Sequence, residues 1–183
     1  MHFPFCLLLS RGYVSPQNVF PVEIRENRRQ FLVFFLTPHH PPISPCPCLQ
    51  NSTAFVSNYA VKEELSHVCI SEYERTSETS RSRARFFHGQ RDFMLYTGRA
   101  HYFKRFMIRG ARHLILYSLP ENAQFYPELV NLLEEGTRSG EVGGVTSCFS
   151  LFTKYEALAL ERIVGSTRAR HMLGSEKETF LFC

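Results

Sequence analysis

The stretch SRSRARFFHGQRDFMLYTGRAHYFKRFMIRGARHLILYSLP, residues 80–120, decides how this chain is read. It begins inside an Arg-rich segment that has Ser and Thr at its start and Gly89 at its end, the chemistry of a helix over Thr76–Gly89. Two apolar runs follow, Phe93–Thr97 (FMLYT) and His113–Ser118 (HLILYS), which read as buried strands. The first run ends at Thr97-Gly98-Arg99. A turn carrying Lys104, Arg105, Arg109 and Gly110 then leads to the second, interleaved with Tyr102, Phe103 and Phe106.

Working outward, His67–Ser71 and Ser147–Phe152 read as further strands, and Phe55–Leu65 as a helix. A helix is predicted over Ala123–Glu135, with Gly136 as its stop. Thr153-Lys-Tyr-Glu156 is a capping-box signature opening a helix through about Met172. Strands alternating with helices predict the α/β class, a parallel sheet with helices on both faces. Ligands of such sheets bind outside the carboxyl ends of the strands, which is where Thr97 and the basic turn lie.

The net charge of +4 on 183 residues averages two unlike stretches. From Glu72 to His113, ten Lys/Arg stand against four acids, a balance of +6. From Pro120 to Glu161, seven Glu stand against Arg138 and Lys154, a balance of −5. Cations with aromatics between them suit a phosphodiester backbone with stacking bases. The candidate RNA contacts are Arg81, Arg85, Arg99, Lys104, Arg105 and Arg109, with Thr97 at the strand end.

Other chemistries find little support. Asp92 is the sole aspartate, which argues against paired-aspartate catalysis and an aspartate metal cage. Cys69 and Cys148 sit in apolar runs and read as buried thiols. His39, His40, Cys46 and Cys48 lie among prolines at a spacing that fits no common zinc pattern, so no metal is expected. Ser166 lacks a G-x-S-x-G elbow, and Gly140, Gly143 and Gly144 follow a helix rather than a strand, so they read as a linker. His88, His101 and His113 have no ligand spacing and are expected to touch RNA or solvent. No G-x-x-x-x-G-K-[ST] phosphate loop occurs, so no nucleotide or other cofactor is expected and the chain reads as a non-enzyme.

Residues 1–54 differ in composition. The run His39–Cys48 holds four prolines, and the segment lacks a sustained period of 2 or 3.6, so it is expected to be irregular and to pack poorly. Its Phe, Leu, Pro and Ser bias is what pyrimidine-rich codons encode, an expectation of an intron-derived or alternative start joined near Gln50. The apolar FPFCLLL has no Lys or Arg before it, is interrupted by Pro4 and has no small-x-small site closely after it, so no secretory leader is expected. No run reaches the ~18 apolar residues of a membrane span, and no membrane partner is expected.

The order of these features resembles the second RecA-type lobe of superfamily 2 helicases. The blocks SRARFFHG, FMLYTGRAHYFKRFMIRG, HLILYSLPE, FYPELVNLL and LERIVGS resemble one family in particular. It is the nucleolar small-subunit processome pseudo-helicase family, also called digestive organ expansion factor. The resemblance runs from about Phe55 to Leu173. It leaves residues 1–54 outside and implies a RecA-like lobe 55–173 that is incomplete at its first strand unless Phe31–Leu36 supplies it, followed by a tail 174–183. It further implies a nucleolar, non-catalytic, RNA-associated scaffold that supports 18S rRNA maturation. The partners implied are pre-rRNA or small nucleolar RNA and processome proteins.

An active second lobe would carry a His-Arg-x-Gly-Arg-x-x-Arg motif after Pro120 to stabilise charge on a transferring phosphate. Here ENAQFYPELVNLLEEG stands there, with no arginine until Arg138. Where active helicases place Asp after Thr97 and this family usually carries Glu, Gly98 stands, and Phe106 replaces a usual Tyr. Two alternatives remain at this level: a fragment of an ATP-dependent RNA helicase, and a processome protein-docking module without RNA contact. The second would use the Leu129, Leu132 and Leu133 face of the helix over Ala123–Glu135.

Overall fold

Five consecutive buried residues, Phe93–Thr97, form a strand whose two faces are both covered, and the rest of the sheet is built around it. The computed structural model describes residues 6–11, 30–35, 66–137, 146–177 and 179–182. The strands are β1 (Cys6–Arg11), β2 (Phe31–Phe35), β3 (His67–Ile70), β4 (Phe93–Thr97), β5 (His113–Leu116), β6 (Ser147–Phe152) and β7 (Thr179–Phe182). They make one sheet in the order β3-β4-β2-β5-β6-β1-β7. Every neighbouring pair is parallel except β1 with β7. The helices are α1 (Thr76–Phe87), α2 (Gly98–Lys104), α3 (Phe125–Thr137), α4 (Ala157–Val164) and α5 (Ser166–Gly174).

Alternation along the strands sorts the core into two faces. Leu32, Phe34, Met94, Tyr96, Leu114 and Leu116 pack with Phe86 of α1, Ala100 of α2 and Leu129, Leu132 and Leu133 of α3. The opposite face buries Phe31, Val33, Phe93, Leu95, Ile115 and Leu151. Each fully buried large side chain stabilises the fold by about 1.5–3 kcal/mol, so the centre of the sheet carries most of it. Leu160, Ala169 and Met172 of α4 and α5 cover Leu119 and Phe152 at one end. This is the expected α/β class. The helix expected over Phe55–Leu65 lies outside the described residues, as do His39, His40, Cys46, Cys48, Gly140, Gly143 and Gly144.

The expectation that residues 1–54 are irregular and pack poorly is corrected within the described part. Phe31–Phe35 is a central strand, paired with β4 on one side and β5 on the other. Of the candidate first strand Phe31–Leu36, the described part Phe31–Phe35 therefore completes the sheet of the lobe. A period is absent there because both faces of FLVF are buried, so every position is apolar. Cys6–Arg11 likewise pairs with β6 and β7.

Helix ends follow local chemistry with some surprises. At the end of α1, Gly89 takes φ 67°, Gly89 N–H donates to Phe86 O at 3.0 Å and Gln90 N–H to Arg85 O at 2.9 Å. That is the Schellman pattern, which favours glycine because a Cβ is strained at positive φ. The Ser/Thr cap expected at its start is not made: Arg75 is the N-cap, without a side-chain bond. Gly136 does not stop α3, which continues to Thr137. The capping box forms as expected, with Thr153 N and Oγ1 donating to Glu156 Oε2 at 2.8 and 2.9 Å. Glu156 Oε1 also accepts from Leu119 N at 3.2 Å, tying the chain after β5 to the chain after β6. The helix expected through Met172 is broken by Gly165 at φ 88°.

Gln30, just before β2, clamps the opposite edge of the sheet. Its carbonyl accepts from Arg112 N (3.1 Å) and His113 N (3.2 Å), and its side-chain amide donates to Phe86 O. Gly110, at φ 90°, lets this amide approach: a Cβ there would lie 3.0 Å from Gln30 Oε1 and 3.4 Å from Phe87 Cα.

Candidate nucleic-acid interface

The segment read as a turn after β4 is a helix, α2, and it organises the basic surface. Thr97 caps it, its Oγ1 accepting from Ala100 N at 3.2 Å. The same hydroxyl donates to Glu72 Oε2 at 3.3 Å. Thr97 is thus buried, with its hydroxyl engaged as both donor and acceptor. Arg99 leaves the first turn of α2 with Nε 3.2 Å from Glu72 Oε1 and its guanidinium 5.9 Å from the centre of the Tyr73 ring. This group sits at the carboxyl ends of β3 and β4.

The other predicted cations lie elsewhere. Lys104 is exposed in the last turn of α2. Arg105 ends that helix in the left-handed region (φ 42°), over the Phe125 ring at 5.7 Å and 3.5 Å from Glu128. Arg109 is exposed on the segment leading to β5. Arg81 and Arg85 are exposed on α1, Arg81 paired with Glu78 at 3.3 Å. That helix returns the chain to the amino end of β4, where Asp92 N and Phe93 N bond Ser66 O.

The candidates therefore do not share one strand edge. Arg99 marks the carboxyl edge, Arg85 lies towards the amino edge, and Lys104 and Arg105 lie between. What links them is contact between α1 and the chain after α2: Arg83 donates to Met107 O at 3.2 Å and lies over the Phe106 ring at 5.2 Å. Arg83 was missed as an organising residue because only tertiary contact distinguishes it from its neighbours in SRSRAR.

Beneath this surface lies a buried polar relay. Phe106 N–H donates to Tyr96 OH (3.2 Å), which lies 3.2 Å from His101 Nδ1, while His101 Nε2 lies 3.1 Å from Glu128 Oε2. If Tyr96 donates to Nδ1, the neutral ring carries its proton on Nε2 and donates it to Glu128. His101 is only 3% exposed and His113 7%, which corrects the expectation of RNA contact or exposure for both. His88 is exposed as expected. Burial holds the His101 pKa below its ordinary 6.5, and Arg105 acts in the same direction, against the raising influence of Glu128. Below about 6.5 the unfolded chain binds a proton that folded His101 resists. Stability is therefore full above that pH and falls as pH drops below it. Between pH 7.5 and 5.5 the urea midpoint of the wild type should fall more than that of His101→Gln. Equal falls would refute this assignment.

Cys148 is buried and Cys69 half-buried, and both are free thiols. Burial pushes their pKa values up to about 12 and about 11, which makes them poor nucleophiles. Leu129, Leu132 and Leu133 are buried against the sheet, so the alternative of docking through this leucine face is not available to them. Among the described residues no helix is long and apolar enough to cross a membrane.

A family model described as Utp25, C-terminal domain, matches residues 49–182. Protein NUCLEOLAR FACTOR 1 of Arabidopsis thaliana is 45% identical over 126 residues, covering 69% of this chain and 16% of its own length. U3 small nucleolar RNA-associated protein 25 of Leptosphaeria maculans is 40% identical over 131 residues, covering 69% and 17%. Its Homo sapiens homolog is 42% identical over 125 residues, covering 68% and 16%. The chain spans about a sixth of the length of these relatives. Among solved structures, a chain of the E. coli DEAD-box protein SrmB bound to regulator of ribonuclease activity A matches with TM-score 0.55 at 10% identity, covering 89% of this chain and 85% of that one. The C-terminal domain of the DEAD-box protein Dbp5 matches with TM-score 0.50 at 16% identity, covering 79% and 74%. The fold is that of a RecA-like DEAD-box C-terminal lobe.

Proposed function

The chain belongs to the Utp25 C-terminal domain family, and from that premise we propose that it is a non-catalytic, RNA-associated scaffold of the small-subunit processome, acting in the nucleolus in pre-rRNA processing and 18S rRNA maturation. Its partners in this reading are pre-rRNA or small nucleolar RNA and processome proteins. The working unit is the lobe 55–173 completed by β2. The observation that carries the RNA contact is electrostatic. No acid occurs between Asp92 and Glu121, while that interval supplies Arg99, Lys104, Arg105, Arg109 and Arg112. Arg81 and Arg85 extend the surface along α1, and Thr97 holds the start of the helix that carries Arg99.

One feature supports the non-catalytic part: between Arg112 and Arg138, where an active second lobe places its arginines, this chain has no arginine or lysine to meet a γ-phosphate. RNA-stimulated ATP turnover by the chain would contradict this part. The RNA surface is tested by salt titration with a single-stranded oligonucleotide. Each phosphate contact should lower log K by ~0.7 per log unit of salt, so about four contacts give a slope near −3. An affinity flat between low and moderate salt would refute the surface.

A further inference from the structure

Helix α2 buries Ala100 and His101 on one side and turns two aromatic rings outward on the other. Tyr102 is 55% and Phe103 58% exposed, and Met107 just beyond is 53% exposed. The two rings stand perpendicular, at 90° with centroids 5.2 Å apart. Tyr102 is held by an edge contact to Phe125 (6.2 Å), whose own ring lies beneath Arg105. Neighbouring exposed rings of this size leave apolar surface in water and mark a binding face. Tyr155 and Leu158 are also exposed, but Lys154 already lies over the Tyr155 ring at 5.3 Å, and Glu156 and Glu161 lie beside them in sequence. Around Tyr102 and Phe103 the adjoining charges are the exposed Lys104 in the last turn of α2, unopposed among the described residues, and Arg105, which Glu128 of α3 partly balances at 3.5 Å; α2 itself contains no acid. The occupant this patch fits is both anionic and aromatic.

We propose that Tyr102 and Phe103 form a stacking platform for two unpaired bases of single-stranded RNA, with Lys104 and Arg105 on the flanking phosphates. The perpendicular rings select the strand state. Bases in a continuous helical stack are parallel, so a duplex cannot lay bases on both rings, whereas a single strand can splay two bases apart. The proposal deepens the RNA reading above and rests on it: the cations give affinity without regard to base, and the rings add a preference for bases over bare backbone.

The test compares an oligouridine 12-mer, an abasic ribose-phosphate backbone of equal length and an RNA duplex, each bound to the full chain. The wild type should bind oligouridine about 10-fold or more tighter than the abasic backbone, the size expected of one or two stacked bases. Tyr102→Ala/Phe103→Ala should erase that preference while leaving abasic affinity and salt slope unchanged. Tyr102→Phe/Phe103→Tyr, which keeps two rings, should retain it. Both positions are exposed, and circular dichroism checks that the variants fold. Equal, salt-dependent binding of oligouridine and abasic backbone by the wild type would overturn the platform and leave the cationic surface standing. A base preference that survives the double alanine, or duplex bound as tightly as single strand, would overturn it too. Absence of binding to all three probes would overturn both the platform and the RNA reading beneath it.

Discussion

Phe34→Ala is expected to lower the free energy of unfolding by about 3–5 kcal/mol, a large fraction of what a domain of this size possesses. Phe34 is fully buried in the central strand β2. Its ring meets Tyr96 and His101 edge-on, each at 6.0 Å. Removing it opens a cavity between β4, β5 and α2 that neighbours fixed in a parallel sheet cannot collapse to fill. The expectation extends to the whole strand. Without β2, β4 keeps only β3 as a neighbour and β5 keeps only β6, which splits the sheet in two. A chain starting at residue 49, where the family match begins, should show no cooperative urea transition by far-UV circular dichroism. A loss under 1 kcal/mol for Phe34→Ala, or a cooperative transition in the truncated chain, would refute the central placement of β2.

Reversing three exposed cations, Arg81→Glu, Arg85→Glu and Lys104→Glu, should weaken binding to single-stranded RNA by about 50-fold or more near physiological salt. Three phosphate contacts at ~0.7 each also predict a salt slope shallower by about 2. The substitutions lie on the outer faces of α1 and α2, so unfolding stability should stay within about 0.5 kcal/mol of wild type. That combination separates binding from folding. Matched affinities measured by anisotropy at two salt concentrations would show that α1 and α2 do not face RNA. Arg99 and Arg105 are left in place because the less exposed Glu72 and Glu128 hold them; the Arg81–Glu78 pair is open to solvent on both sides, so reversal there costs only ~0.5 kcal/mol.

Much of this architecture was legible in the sequence because local chemistry and tertiary placement agree. FMLYT and HLILYS are uniformly apolar because they lie inside a parallel sheet, and Gly89 and Thr153…Glu156 mark helix ends through bonds within a few residues. What local chemistry leaves open has another cause. FLVFF offers a strand, but the proline tract beside it dominates the composition, and its central place in the sheet depends on β4 and β5. The leucines of α3 looked available for docking until the sheet was there to cover them. His101 looked like one more polar residue in a basic turn. Its burial depends on Phe34, Tyr96, Phe125 and Glu128, which come from three separate elements, β2, β4 and α3.

The sequence by itself determined the class of fold, the family and the concentration of positive charge between Asp92 and Glu121, because periodicity, motif order and charge are written locally. Tertiary structure decided which strand completes the sheet, and it split the predicted cations between the two strand edges and the face between them. It also turned Thr97 and His101 inward while leaving Tyr102 and Phe103 exposed. Those outcomes depend on which distant segments cover a residue, and adjacent residues of one short helix, such as His101 and Tyr102, meet opposite fates.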